Sequence, residues 1–252
     1  MTGPDRVLIQ ILIAAPIEVV WQALRDPAEI RRWFGWDYAG LTDEINMIFL
    51  EGTETTTSGE TRTLAFPEIH DRFTLEPDGD RTILRVVRSA PSGNATGWQG
   101  IYDDLAEGWT KFIQQLKFAL EHHRGQDRRT IFLSGRARSA DAPLPLEALG
   151  LASVGRLPVG QRFTVKAAPG DALTGTVWAR STYQTVLELD TFGHGLLVLL
   201  HRPQTEKSPH GGGLIILTTY GLDDPAFTAL RERWLAWWET QFDGTSVELP
   251  PA

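Results

Sequence analysis

A chain of 252 residues with 24 Lys and Arg against 32 Asp and Glu carries a net charge of −8, which excludes a general attraction to nucleic acid or anionic membranes. Its 42% hydrophobic and 22% charged residues are the balance of a folded chain with an ample core, in one large domain or two ordinary ones. The lack of cysteine excludes disulfides, thiolate metal sites, iron–sulfur clusters and a cysteine nucleophile; with no basic leader and no run near roughly 18 apolar residues, a cytoplasmic protein without a membrane span is expected.

The first segment, "RVLIQILIAA", alternates and is rich in branched residues, which predicts a strand. In "APIEVVWQALRD", Ile17, Val20, Ala23 and Leu24 share one face of a helix that Pro16 opens. "DPAEIRRWF" predicts a second, short helix. Asp26 is its N-cap, Pro27 its first residue, and Glu29 sits where a capping box places its acid. Strands are then predicted at "EINMIFLE", "ETRTLAF", "IHDRFTLEP" and "RTILRVVRS", the last two joined by an Asp-Gly hairpin signal. A long helix follows at "IYDDLAEGWTKFIQQLKFALEHH", with Leu105, Trp109, Phe112, Leu116 and Ala119 at spacings of three and four. Gly108 inside it costs about 1 kcal/mol relative to alanine, so a close approach or a bend is expected there.

"HHRGQDRRT" reads as a linker, after which the plan restarts. "RTIFLSGRARS" predicts a strand and "PLPLEALGL" a short helix. "QRFTVKAA", "LTGTVWARS", "QTVLELD", "GLLVLLHR" and "GGGLIILTTYG" predict five more strands. The closing helix, "DPAFTALRERWLAWWETQF", opens on Asp224 as cap and carries Phe227, Leu230, Trp234, Trp237, Trp238 and Phe242 as its apolar stripe. The same order of elements in both halves indicates a degenerate tandem duplication, with domains at 1–125 and 128–252.

The segment "IAAPIEVVWQALRDPAEIRRWFG" resembles the opening signature of SRPBCC (START-like) domains of the heat-shock protein 90 ATPase activator-like group. Pro16, Val20, Trp21, Ala23, Leu24, Asp26, Pro27, Arg31 or Arg32, and Trp33 fit that signature in order. "FTLEPDGDRTILRVVRS" resembles the late strands of that group, and "GWTKFIQQLKFALE" its closing helix. The resemblance covers most of residues 6–124; in the second half the V-W-x-A-L signature is missing and element order alone carries it. It implies an α+β helix-grip fold in two tandem copies, each a curved antiparallel sheet wrapped round a long C-terminal helix with an apolar cavity between them. The group includes carriers of lipids and small molecules, aromatase/cyclase-like enzymes and chaperone regulators, so the fold by itself assigns no role.

The candidate cavity residues are Phe34, Trp36 and Tyr38, joined near the closing helix by Trp98, Tyr102 and Phe112, because ligand cavities are mostly apolar and aromatic with a few polar anchors. Trp21, Trp33 and Trp109 read as core. Arg85 and Arg88 lie on opposite faces of one strand, so one of them points inward and could meet a ligand carboxylate; Arg85 is the candidate. Asp37, Tyr38, His70 and Arg85 are the polar residues an enzyme would use, yet none has a partner at catalytic spacing. His194, His201 and His210 show no metal-ligand spacing. "GHG" at 193–195 reads as a tight turn, and "HGGG" at 210–213 as a flexible hairpin turn without a nucleophile elbow. The function expected is non-covalent binding of a small hydrophobic or aromatic molecule, with no catalytic motif, metal or cofactor. The alternatives are a cyclase- or hydrolase-like enzyme using polar cavity residues, and a chaperone-regulating module whose partner is a chaperone or another protein.

Overall fold

The computed structural model describes residues 5–89, 104–206 and 208–244. The chain divides into two compact units, one holding the sequence up to Gly35 together with Ala39–Gln126, the other holding Trp36–Tyr38 and the chain from Asp127 onward. Both are α+β, each an antiparallel sheet closed by a long helix in the helix-grip order. Among the described residues, no helix is long and apolar enough to cross a membrane.

In the first unit, β1 (Arg6–Ile13) leads into α1 (Ile17–Arg25), whose Val20, Ala23 and Leu24 are buried along one stripe. The next helix, α2 (Pro27–Arg31), starts where Asp26 predicts: its carboxylate accepts from Ala28 N at 2.9 Å. The capping box does not close. The Asp26 N–H is already donated to Gln22 O, and Glu29 pairs with Arg32 at 2.5 Å instead.

"EINMIFLE" is not a strand. It forms the end of α3 (Leu41–Ile45) and a π-helical turn over Asn46–Glu51. Leu41, Ile45 and Phe49 are the buried residues there, and a spacing of four serves a helical face as well as an alternating strand. The edge strand β2 (Glu54–Ser58) is exposed along its whole length, so it offers no alternation to detect.

β3 (Thr61–Phe66), β4 (Asp71–Asp78) and β5 (Arg81–Arg88) complete a sheet in the order β1-β5-β4-β3-β2. The β4–β5 loop is Gly79–Asp80, with a positive φ (67°) at Gly79 alone, the pattern of a type II′ turn. The closing helix α4 (Asp104–His122) buries Trp109, Ile113, Leu116 and Ala119. Gly108 marks no close approach: a β-carbon there would meet nothing nearer than Lys111 Nζ at 3.7 Å.

The second unit runs β6 (Arg128–Ala137), α5 (Pro145–Ala148), β7 (Arg162–Lys166), β8 (Ala172–Arg180), β9 (Gln184–Leu189), β10 (Gly195–Arg202), β11 (Gly212–Tyr220), α6 (Asp224–Gln241) and β12 (Phe242–Asp243). Its sheet has the order β12-β6-β11-β10-β9-β8-β7. Leu187, Leu189, Leu197, Leu199, Ile215 and Leu217 face the core, where α6 contributes Phe227, Leu230, Trp234 and Trp238. The cap of α6 is Asp223, one residue before the expected position, accepting from Ala226 N at 2.9 Å. Phe242 lies past the helix, on β12, stacked on Trp238 at 4.0 Å. Trp237 packs at the margin of the same core.

The two closing helices share an anchoring device. In α4, Trp109 Nε1 donates to Asp71 at 3.0 Å, and Arg88 pairs with the same carboxylate. In α6, Trp234 Nε1 donates to Asp171 at 2.8 Å, and Arg233 pairs with that carboxylate.

At the end of β11, Tyr220 is 4% exposed and burial pushes its hydroxyl up to about 12, against the opposing charge of Arg128. The unfolded chain loses this proton near pH 10, so the contribution of Tyr220 is intact below that pH and is lost as pH rises to about 12. Urea unfolding across this range is expected to show a loss on the order of 2–3 kcal/mol that Tyr220→Phe removes. An unchanged loss in the variant would assign the alkaline transition to another group.

Candidate functional site

The interior of the first unit is a packed set of rings. Phe34 lies 4.9 Å from Phe49 and 4.8 Å from Phe112, and Trp33 lies 5.6 Å from Phe49. Phe66 and Phe73 carry the contacts on to Trp109, at 5.2 and 4.8 Å. Trp33 is fixed by donating Nε1 to Ala23 O at 2.8 Å, and Gln115 Nε2 donates to Trp33 O at 3.1 Å. Edge-to-face and tilted ring pairs of this kind are how aromatic side chains pack in protein interiors.

At one side of these rings lies the pair that the opposed faces of β5 require. Arg88 points inward with Leu84 and Val86, and its Nε and Nη2 meet the two Asp71 carboxylate oxygens at 2.7 and 2.9 Å. The inward arginine therefore meets a carboxylate of the protein itself. Arg85 lies on the other face, donating Nε to Gln10 at 2.7 Å and pairing with Glu76 at 2.7 Å.

Of the predicted cavity residues, the structure brings Phe34 and Phe112 together and sets Arg85 on the opposite side of the sheet. Trp36 and Tyr38 belong to the second unit. There Trp36 stacks on Phe132 of β6 at 3.7 Å with an interplanar angle of 4°, and Tyr38 lies 6.0 Å from Trp36. Asp37 between them is tied to β6 twice: its N–H donates to Thr130 Oγ1 at 2.6 Å, and its carboxylate accepts from Thr130 N at 2.7 Å. His70 is an exposed residue in a left-handed turn (φ 57°). Trp98 and Tyr102 lie outside the described residues. Of the four polar residues an enzyme would use, Asp37 and Tyr38 thus belong to the second unit and His70 and Arg85 to the first.

A cavity of about 180 Å³ does occur in the second unit, between the α5 segment, the β8–β9 turn and β10. One wall is apolar: Leu144, Pro145 and Leu146 come from the α5 segment and Leu199 from β10. The opposite rim is the β8–β9 turn, Ser181–Tyr183, running into Gln184. The turn is held rigid by its own bonds, since Ser181 N donates to Gln184 O at 2.9 Å and Ser181 Oγ accepts from Gln184 N at 3.1 Å. Arg180, beside it, donates Nη1 to Leu157 O at 3.0 Å and Nη2 to Val154 O at 3.2 Å.

His201 supplies the polar group of the floor. It is two residues beyond Leu199 on β10 and therefore shares its face. Across the sheet it pairs in register with Gly213 of β11, and its ring lies 6.3 Å from Tyr183. Burial pushes the imidazole below its ordinary range, against the charge of Glu147, which keeps the ring neutral at pH 7.

Gly213 explains how α5 comes so close. A β-carbon there would lie 2.3 Å from Pro145 Cγ, so glycine lets the proline ring rest on the sheet beside His201. "HGGG" is accordingly only in part a turn: Gly211 has φ +69°, while Gly212 and Gly213 are strand residues. The sequence held a signal for this site. In "GLLVLLHR" the alternate positions Leu197, Leu199 and His201 place an imidazole in line with core leucines.

No protein-family model matches the sequence, and no curated protein matches it. Among solved structures, the chain is similar to the di-domain ARO/CYC BexL from the BE-7585A biosynthetic pathway, at 12% identity and a TM-score of 0.32 over 96% of this chain and 99% of that one. It is similar to the di-domain ARO/CYC StfQ from the steffimycin biosynthetic pathway at 12% identity and a TM-score of 0.31, over 92% and 91% of the two chains. The Aha1 dimer from Colwellia psychrerythraea matches 49% of this chain over its full length, at 19% identity and a TM-score of 0.32. Likenesses of this size carry neither a site nor an activity to the present chain.

Proposed function

We propose that the protein binds a small, largely apolar molecule without covalent chemistry, and that the second unit is the one that binds. The observation behind this reading is the 180 Å³ cavity walled by Leu144, Pro145, Leu146 and Leu199 and floored by His201. Apolar walls with a few placed polar groups are the usual make-up of a ligand site. The first unit supports the assignment by contrast, because Phe34, Phe49, Phe112 and Trp109 occupy its interior with one another. Two of the aromatic residues that suggested a ligand, Phe34 and Phe112, pack against each other there.

Thermal melts of the full chain over a panel of small apolar and aromatic compounds test the proposal. A ligand at 100 times its Kd stabilises by about 2.7 kcal/mol, a rise of several degrees in Tm for a chain of this size. A panel in which no compound raises Tm would overturn it.

A further inference from the structure

We infer that the second-unit cavity takes a single-ring, uncharged molecule bearing a hydroxyl, a simple phenol in class, with that hydroxyl bonded to the His201 imidazole. The inference rests on the small-molecule reading given above and specifies its chemistry.

Size sets the first limit. A cavity of about 150 Å³ lined by aliphatic and aromatic groups accommodates benzene, so 180 Å³ suits one ring with a small substituent. The walls set the second: Leu144, Pro145, Leu146 and Leu199 offer a ring only dispersion and burial. Gly213 enforces the narrowness by letting Pro145 sit on the sheet, since its absent β-carbon would stand 2.3 Å from Pro145 Cγ.

The polar anchor is His201. Its backbone N–H is spent on Tyr183 O at 2.8 Å, but among the described residues its imidazole makes no hydrogen bond, although it lines the cavity. Of the polar groups beside it, Ser181 is bonded within its turn and Arg180 to the carbonyls of Leu157 and Val154. A neutral imidazole offers one donor and one acceptor, and a hydroxyl answers either. Burial holds the ring in that neutral form. Charged ligands fit worse. A carboxylate would need a cation beside the imidazole, and the charge that acts on His201 is the acidic Glu147. Arg180 stands at the exposed rim.

Calorimetric titration of the full chain with phenol, toluene and benzoate decides the question. Phenol is expected to bind about tenfold more tightly than toluene, as one net hydrogen bond allows, with benzoate the weakest. His201→Leu should bring phenol to the level of toluene while toluene binding survives, and His201→Gln should restore the preference. Equal binding of phenol and toluene, benzoate binding tightest, or a preference unchanged in His201→Leu would overturn the inference and leave the small-molecule reading standing. Binding of none of the three, together with no hit in the melting panel, would overturn both. The phenol-to-toluene ratio of the unaltered protein keeps the test valid even where His201→Leu fails to fold.

Discussion

Asp71→Ala is expected to destabilise the protein by about 3–5 kcal/mol, the range for removing one partner of a buried ion pair. The Asp71 side chain is 0% exposed and that of Arg88 10%, so water cannot replace the lost carboxylate. Two further bonds go with it: the second oxygen's contact with Arg88 Nη2 at 2.9 Å and the one that accepts from Trp109 Nε1 at 3.0 Å. The loss falls on the strand pair β4–β5, where Asp71 and Arg88 are directly opposed, and on the anchoring of α4. Asp71→Asn keeps an acceptor for the indole and should cost less. Removing the charges together, in Asp71→Leu with Arg88→Met, should recover much of the loss, because the desolvation of both ions is then avoided. Urea unfolding of the four proteins checks this. A double variant as unstable as Asp71→Ala would mean that shape, not charge, governs the position.

This pair also shows what the sequence discloses and what it withholds. The opposed faces of "RTILRVVRS" require one arginine to point inward. They do not say which, because Arg85 and Arg88 each have apolar residues two positions away. The choice is made by residues distant in sequence: Asp71 opposite Arg88, and Gln10 and Glu76 beside Arg85. Elements with a single workable periodicity were legible, such as the two closing helices and the five strands from β7 to β11. "EINMIFLE" was not, since Leu41, Ile45 and Phe49 satisfy helix and strand alike. Nor was the placement of Trp36, since only the register of β6 brings Phe132 and Thr130 to that tripeptide. The cavity is not legible in the sequence for a related reason. It depends on the absence of a side chain at Gly213, and a glycine in "HGGG" reads as a turn until the neighbouring proline is located.

Gly193→Ala is expected to cost about 2–5 kcal/mol, through two additive effects that a second glycine separates. Phe192, Gly193 and His194 have φ of 60°, 74° and 63°, three consecutive left-handed residues at the β9–β10 connection. Alanine in that region costs roughly 1–2 kcal/mol from its own backbone. The remainder comes from space, because a β-carbon at Gly193 would lie 1.7 Å from Tyr220 O, and the neighbour is main chain that cannot swing aside. Tyr220 N donates to Phe192 O at 3.1 Å, so relieving the clash means parting the turn from the end of β11. Overpacking of this sort adds about 1–3 kcal/mol. Gly79, with φ +67° and nothing within 4 Å of its missing β-carbon, isolates the backbone effect, and Gly79→Ala should cost only the first contribution. Urea midpoints of both variants against the parent provide the comparison. Equal losses at the two positions would show that the turn yields to Tyr220 and that φ alone makes glycine necessary there.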